Sequence, residues 1–265
     1  MSMNQQQLEC LCRIAHEAGQ EIMEVYGTNI GHWNKVDDSP LTEADLRADR
    51  VIRQGLEQHF PGVFILSEES RSAGDELPER FFLVDPLDGT KEFLKRNDEF
   101  TVNIALVENG VPVVGVVLAP ALGECFYAAR GLGAFKRDGQ SYRAIATAKL
   151  GSTLRVMGSR SHGGDKLKAW LVGLSQPYDF VAVGSSLKFC RIAEGAADIY
   201  PRFGPTSQWD TAAAQAVLEI AGGTVTDLHG QPLRYGLQRP ILNPEFIVFG
   251  DREKNGVIFD GYSIC

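Results

Sequence analysis

The sequence lacks a surplus of positive charge. Its 26 Lys and Arg residues are outnumbered by 34 Asp and Glu residues, which gives a formal net charge of −8 at pH 7. Proteins that coat nucleic acid usually carry a basic face, so this composition disfavours that class. It does not exclude an anionic substrate, because bound metal ions reverse the local field around a group of acids.

The sequence also lacks a segment suited to crossing a membrane. Its most apolar run, residues 111–122, is too short to span a bilayer and contains Pro112, Gly115 and Pro120. The first seven residues have neither the basic start nor the apolar core of a signal peptide. We therefore expect a cytoplasmic protein without an integral membrane segment. Peripheral attachment to the cytoplasmic face of the inner membrane stays open, as does the choice between a monomer and a homodimer.

Cysteine is scarce and scattered. The five cysteines show no spacing typical of metal ligands, so we expect reduced thiols at Cys10, Cys12, Cys125, Cys190 and Cys265. The chain has 265 residues, of which 44% are hydrophobic, and it is long enough for one large domain or two smaller units that share a core.

The hydrophobic pattern changes along the chain. Apolar residues spaced by three and four predict an amphipathic helix over residues 5–26, and a second helix follows the capping-box sequence Thr42-Glu43-Ala44-Asp45. Short strands then predict an antiparallel sheet, whereas helices and strands alternate beyond about residue 150. We expect an α+β or α/β fold with a boundary between residues 1–148 and 149–265, and a smaller mixed sheet in the second half.

The most informative segment is Phe81–Phe93. Four apolar residues predict a buried strand, which Pro86 is expected to end because proline has no N–H for a sheet. Asp85 and Asp88 follow, then Gly89, which permits close approach of a ligand, and Thr90, which can open a helix. Two carboxylates beside a helix N-terminus suit Mg²⁺ and phosphate. An ordinary Asp-Gly turn would look the same, so the interpretation depends on further acids.

Other acids also lie at the ends of predicted elements. Asp45 lies in the first turn of a helix, Glu68 follows a short strand, and Asp210 precedes a helix rich in small residues. Helix capping by itself would account for Asp45, and it accounts for Asp210 as well as a ligand role does. Only the combination of these acids favours a common site.

Three segments in this order resemble the signature of the lithium-sensitive, magnesium-dependent phosphomonoesterase superfamily, which includes the inositol monophosphatases. They are Ser67-Glu68-Glu69-Ser70, Asp85-Pro86-Leu87-Asp88-Gly89-Thr90 and Trp209-Asp210. Longer stretches are more similar to the 3'(2'),5'-bisphosphate nucleotidases of the bacterial CysQ type. They are Gly89–Asn97, Glu99–Leu106, Gly184–Cys190 and Tyr200–Thr206. Inositol-type members typically have Thr-Asn-Phe where this chain has Lys91-Glu92-Phe93.

The resemblance implies a layered α-β-α-β-α sandwich with two or three Mg²⁺ ions between its halves. The first half would carry most of the metal ligands, and the second half would carry the last ligand and the substrate contacts. The implied metal ligands are Glu68, Asp85, the Leu87 carbonyl, Asp88 and Asp210. Glu68 and Asp85 would share the first ion, and Asp85, Asp88 and Asp210 the second.

The resemblance also implies roles in catalysis and substrate binding. Thr90 and Asp45 would orient and deprotonate the attacking water, with Glu68 as a further catalytic residue. The implied substrate contacts are Gly89, Thr90, His162, Ser185, Lys188, Arg202 and Asp210.

The implied activity is hydrolysis of the 3'-phosphate of adenosine 3',5'-bisphosphate to AMP and phosphate, with the sulfated relative of this nucleotide as a further substrate. Metal ions can both acidify a water and neutralise the departing oxygen, so the lack of a Ser-His-Asp arrangement is no obstacle. An inositol-phosphate or sugar-phosphate phosphatase is the alternative. A phosphorylated Asp85 and a non-catalytic nucleotide sensor are two further hypotheses.

Overall fold

Two β-sheets, each covered by helices on both faces, form the framework of the protein. The structure, a computed structural model, describes residues 3–28, 32–34, 40–70, 78–159, 164–236 and 239–254. The first strands, β1 and β2 (His32–Asn34 and Pro40–Thr42), form a small antiparallel pair.

The larger sheet has seven strands in the order β3-β4-β5-β6-β7-β8-β9. These strands are Phe64–Ser67, Arg80–Asp88, Thr101–Glu108, Val111–Ala119, Glu124–Ala129, Gly133–Asp138 and Ser141–Ala144. All neighbours are antiparallel except β3 and β4, which are parallel. The predicted antiparallel sheet is thus confirmed for β4 to β9, with one parallel pair at its β3 edge.

The smaller sheet has five strands in the order β11-β10-β12-β14-β13 and is mixed, as predicted. Strands β10 to β14 are Leu154–Ser159, Tyr178–Val183, Ile199–Arg202, Thr224–Asp227 and Phe246–Phe249. The two sheets thus lie on either side of residue 148 in the sequence, and the domain boundary at that residue stays a prediction.

Helices alternate with the two sheets. Helices α1 to α6 are Gln5–Tyr26, Glu43–His59, Thr90–Lys95, Asp165–Val172, Leu187–Ala193 and Gln208–Ile220. The pair α1 and α2 covers one face of the larger sheet, α5 and α6 fill the space between the sheets, and α4 packs on the outer face of the smaller sheet. This order confirms the predicted α-β-α-β-α sandwich.

Side-chain alternation along β4 explains how one strand serves two cores. Phe81 and Leu83 point to the layer of α5 and α6, whereas Phe82 and Val84 point to α1 and α2. Successive residues of a strand face opposite sides of a sheet, so an unbroken apolar run is what a strand buried on both faces requires.

Pro86 does not end β4, contrary to the sequence prediction. The strand continues to Asp88, but the pairing with β5 skips from Asp85 opposite Asn103 to Asp88 opposite Thr101. Pro86 lies in the resulting bulge, where a missing N–H costs no ladder hydrogen bond. The bulge bends the strand between the two acids.

The layer of α6 is packed closely against the larger sheet. A Cβ added at Gly115 on β6 would lie 2.0 Å from the carbonyl oxygen of Ala213 on α6. Glycine at this position and alanines on the facing helix surface therefore set the distance between helix and sheet. Among the helices that the structure describes, none is long and apolar enough to cross a membrane.

Candidate active site

A cavity of about 240 Å³ opens where the ends of β3 and β4 face the first turns of α5 and α6. Its walls combine acids from the larger sheet with basic side chains from the second half of the chain. The lining includes Glu68, Asp85, Leu87, Asp88, Gly89, Thr90, Ser185, Lys188, Arg202 and Asp210.

Three acids form a cluster at one side of this cavity. Glu68 follows β3, Asp85 lies on β4 directly before its bulge, and Asp210 lies in the first turn of α6. One carboxylate oxygen from each lies within 4.8 Å of the others. Carboxylate oxygens at such spacing suit a hard divalent cation, which also relieves their mutual repulsion. The donor set therefore fits the Mg²⁺ that the sequence predicted.

Asp210 belongs both to this cluster and to a helix cap. Of the two roles that the sequence left open for it, the N-cap position is taken by Ser207, because α6 begins earlier than expected, and Asp210 is the third helical residue of the capping box. Ser207 N–H donates to Oδ2 of Asp210 at 2.9 Å. Burial raises the pKa of Asp210 well above its usual range, and the nearby Asp88 and Glu68 carboxylates raise it further. A bound cation would favour the ionised form.

Asp88 lines the same cavity next to the three-acid cluster. Its Oδ2 accepts a hydrogen bond from Ser186 N–H at 2.6 Å, with longer contacts from Thr101 Oγ1 (3.4 Å) and Asn103 Nδ2 (3.5 Å). Burial raises the pKa of Asp88 to about 6, against the opposing effect of the Lys188 ammonium. Asp88 thus joins the acidic wall to the segment before α5.

Thr90 connects the cavity to Asp45. Its hydroxyl lies 3.5 Å from Oδ1 of Asp45 and 3.4 Å from the Leu87 carbonyl oxygen. The other Asp45 oxygen, Oδ2, accepts from both the N–H and the hydroxyl of Thr42, at 2.8 and 2.6 Å. The predicted capping box is confirmed, and the same carboxylate also reaches Thr90.

Lys188 provides a buried positive charge on the opposite wall. It is only 4% exposed. Its Nζ donates to the carbonyl oxygens of Val183 (3.1 Å) and Ser185 (2.5 Å) and lies 5.2 Å from the centre of the Tyr200 ring. Burial lowers the pKa of Lys188 to about 8, although the Asp88 carboxylate acts in the other direction. The ammonium is therefore held in one place and is weakly hydrated.

Arg202 adds a second buried cation from β12. Its Nε donates to the Gly204 carbonyl at 3.1 Å and one Nη donates to the Pro205 carbonyl at 2.7 Å. These bonds fix the plane of the guanidinium group. Lys188 and Arg202 together make this wall of the cavity suitable for an anion.

Polar side chains of β5 and of Glu99, just before this strand, hold the segment before α5, and sequence reasoning did not single them out. Ser186 Oγ donates to Asn103 Oδ1 at 2.8 Å and lies 2.9 Å from Thr101 Oγ1. Gly184 N–H donates to Glu99 Oε2 at 2.7 Å. Thr101 and Asn103 are two residues apart on one strand and so share a face, a signal that the sequence does contain.

The inositol monophosphatase family model matches residues 3–257 of the chain. The chain belongs to the inositol monophosphatase family. Its similarity to curated members extends over most of its length. It is 47% identical over 245 residues to the 3'(2'),5'-bisphosphate nucleotidase CysQ of Salmonella typhimurium, covering 91% of this chain and 98% of that protein. It is 46% identical, with the same coverage, to CysQ of Escherichia coli K12.

Solved structures of the inositol monophosphatase family have the same fold. CysQ from Bacteroides thetaiotaomicron is 36% identical with a TM-score of 0.81, covering 94% of this chain and 98% of that one. The inositol monophosphatase of Thermotoga maritima is 27% identical with a TM-score of 0.78, covering 96% and 95%.

The structure of this inositol monophosphatase family member brings most of the predicted residues to one cavity. The exceptions are Asp45, which lies behind Thr90 and is 1% exposed, and His162, which is outside the described residues. The cavity therefore places predicted metal ligands opposite predicted substrate contacts.

Proposed function

We propose that this protein is a metal-dependent phosphomonoesterase that removes the 3'-phosphate of adenosine 3',5'-bisphosphate, giving AMP and phosphate. The sulfated relative of this nucleotide is a further candidate substrate. The observation that carries the proposal is the juxtaposition, in one cavity, of the Glu68, Asp85 and Asp210 carboxylates with the buried cations Lys188 and Arg202. The names of the CysQ relatives support the same substrate class.

The acidic wall would hold two or three Mg²⁺ ions. Glu68 and Asp85 would share one ion, and Asp85, Asp88 and Asp210 a second, with the Leu87 carbonyl as a further oxygen ligand. Bound ions supply an acidified water and neutralise the charge on the departing oxygen. The chain itself contributes fixed carboxylates, three of which already lie within 4.8 Å of one another.

Thr90 and Asp45 would position and deprotonate the water. Because the backbone N–H and the hydroxyl of Thr42 both donate to Oδ2 of Asp45, its Oδ1 is held facing Thr90. A proton leaving a water beside Thr90 could thus pass through the threonine hydroxyl to Asp45. The bond between Thr90 and Asp45 is long, at 3.5 Å, as catalytic hydrogen bonds often are before substrate binds.

Lys188, Arg202 and Ser185 would bind the phosphate that stays on the nucleotide. Gly89 would let the 3'-phosphate, which is removed, approach the first turn of α3. Gly89 has a φ of 90°, which disfavours any residue with a side chain, and a Cβ there would lie 3.2 Å from the Glu99 carbonyl oxygen. His162 is a further proposed substrate contact. A substrate with two phosphates would thus interact with both walls of the cavity.

Phosphate release from a small panel of substrates tests this function. We expect kcat/KM for adenosine 3',5'-bisphosphate to exceed that for inositol 1-phosphate and for sugar phosphates, with activity dependent on Mg²⁺. Faster turnover of inositol 1-phosphate would support the alternative function. A nucleotide sensor would bind the bisphosphate without releasing phosphate. The cytoplasmic location, peripheral attachment to the inner membrane and the choice between monomer and homodimer stay predictions.

A further inference from the structure

The acid cluster is assembled from two parts of the chain that are far apart in sequence. Glu68 directly follows β3 and Asp85 lies on the neighbouring strand β4, whereas Asp210 comes from α6. Carboxylates whose oxygens lie within 4.8 Å of one another repel when they are ionised, so a firmly held α6 keeps Asp210 in the cluster.

The segment 239–243 lies along the first turn of α6 and holds it through backbone bonds. Ile241 carbonyl accepts from Gln208 N–H at 2.8 Å, and Asn243 N–H donates to the Thr206 carbonyl at 2.8 Å. Ser207 and Leu242 form an isolated antiparallel bridge between these two bonds. We call residues 239–243 the α6 strap.

The Asn243 side chain is the polar centre of the α6 strap. Its Nδ2 donates to the Ser207 carbonyl at 2.7 Å and also lies 3.0 Å from Thr211 Oγ1 and 3.2 Å from Thr206 Oγ1. Ser207 is the residue whose N–H holds Asp210. Asn243 is therefore linked to the proposed metal ligand Asp210 through Ser207. Its amide contacts the residues before and after the start of α6, Thr206 and Thr211.

We propose that Asn243 is a positioning residue for metal binding, which holds the cap of α6 so that Asp210 stays in the acid cluster against charge repulsion. The inference rests on the proposed metal-dependent function. Asn243 touches neither metal nor substrate in this role, and acts through Ser207. Outer partners of metal ligands typically contribute about 10–100-fold to metal affinity or activity.

Asn243→Ala tests the proposal, because it removes the side-chain amide and keeps the backbone N–H of the strap. Mn²⁺ is titrated into the metal-free protein and the unbound ion is measured by electron paramagnetic resonance. We expect at least about tenfold weaker Mn²⁺ binding than in wild type, and a matching rise in the Mg²⁺ concentration needed for half-maximal phosphate release. Saturating Mg²⁺ should restore most of kcat.

Gln215→Leu is the matched control. Gln215 is a buried amide on α6 itself that contacts the loop before the strap, through the Leu233 carbonyl at 3.4 Å and the Tyr235 hydroxyl at 2.6 Å. It lies beyond the cap, so its loss should lower the melting temperature without weakening Mn²⁺ binding. If Asn243→Ala does not fold, Asn243→Ser is measured in the same way.

The Mn²⁺ measurements test the positioning role of Asn243 separately from the proposed metal-dependent function. Unchanged Mn²⁺ affinity in a folded Asn243 variant, with only a lower melting temperature, would overturn the positioning role and leave the proposed function intact. Equal weakening by Gln215→Leu would also overturn it, because the effect would then reflect general stability of α6. Absence of Mn²⁺ binding to the wild-type protein would instead count against the proposed function.

Discussion

Replacing Lys188 by methionine should remove recognition of the second phosphate while preserving most of the packing of the side chain. The lysine is 4% exposed, and its ammonium is fixed by two carbonyl oxygens at 3.1 and 2.5 Å and by the Tyr200 ring. A hydrogen bond to a charged group contributes about 1.5–3 kcal/mol. Loss of about 2 kcal/mol lowers kcat/KM about 30-fold.

The assay compares adenosine 3',5'-bisphosphate with adenosine 3'-monophosphate, which has only the phosphate to be removed. We expect the 30-fold loss for the bisphosphate and a much smaller loss for the monophosphate, about threefold or less. Lys91→Met is the control, because Lys91 is an exposed lysine that lines the same cavity. Exposed charges contribute about 0–1 kcal/mol, so this variant should change both rates little. Equal losses on both substrates in Lys188→Met would refute the reasoning.

The same lysine predicts a pH dependence. Burial lowers the pKa of Lys188 to about 8, so the ammonium is present below that pH and is lost as pH rises through it. The ratio of kcat/KM for the bisphosphate to that for the monophosphate should therefore fall above about pH 8 in wild type. In Lys188→Met the ratio should stay low and flat. A wild-type ratio that rises with pH would contradict this assignment of the charge.

Other changes test the acid cluster and the packing around it. Asp85→Asn should lower phosphate release by about 100-fold or more, because it weakens a proposed shared ligand of two ions; near-normal turnover would remove Asp85 from the site. Treatment with EDTA should abolish activity and added Mg²⁺ should restore it, whereas full activity after chelation would contradict metal dependence. Gly115→Ala should lower the free energy of unfolding by about 1–3 kcal/mol in urea titration, because its methyl would overlap the Ala213 carbonyl. Gly151→Ala, whose methyl would meet nothing closer than 3.8 Å, should be close to neutral, and a similar loss in both would refute the packing argument.

Local signals in the sequence predicted the elements that depend on local physics. The apolar stripe of residues 5–26 and the capping box at Thr42 were confirmed, because helix periodicity and caps involve residues three or four apart. The Asp-Gly-Thr sequence likewise predicted a helix that begins at Thr90. The α-β-α-β-α order of helix and sheet layers was predicted from the resemblance to a family, because hydrophobic periodicity does not predict how elements stack.

Errors arose where tertiary contacts override local preference. Pro86 was expected to end a strand, yet a bulge accommodates it, and pairing with β5 resumes after a register shift at Asp88 opposite Thr101. Strands β3 and β4 pair in parallel, and no short sequence pattern encodes the relative direction of two strands. The sequence could not choose between a cap and a ligand role for Asp210, and α6 begins earlier than expected, at Gln208, whose N–H donates to the Ile241 carbonyl more than thirty residues further along the chain.

The most direct measurement of the central claim is a crystal structure with Mn²⁺, AMP and phosphate, in which anomalous scattering locates the metal. The account predicts anomalous peaks between the Glu68, Asp85 and Asp210 carboxylates, with phosphate bound beside them and the second phosphate of the nucleotide near Lys188 and Arg202. Peaks elsewhere, or a product-bound protein in which these three carboxylates lie apart, would contradict it.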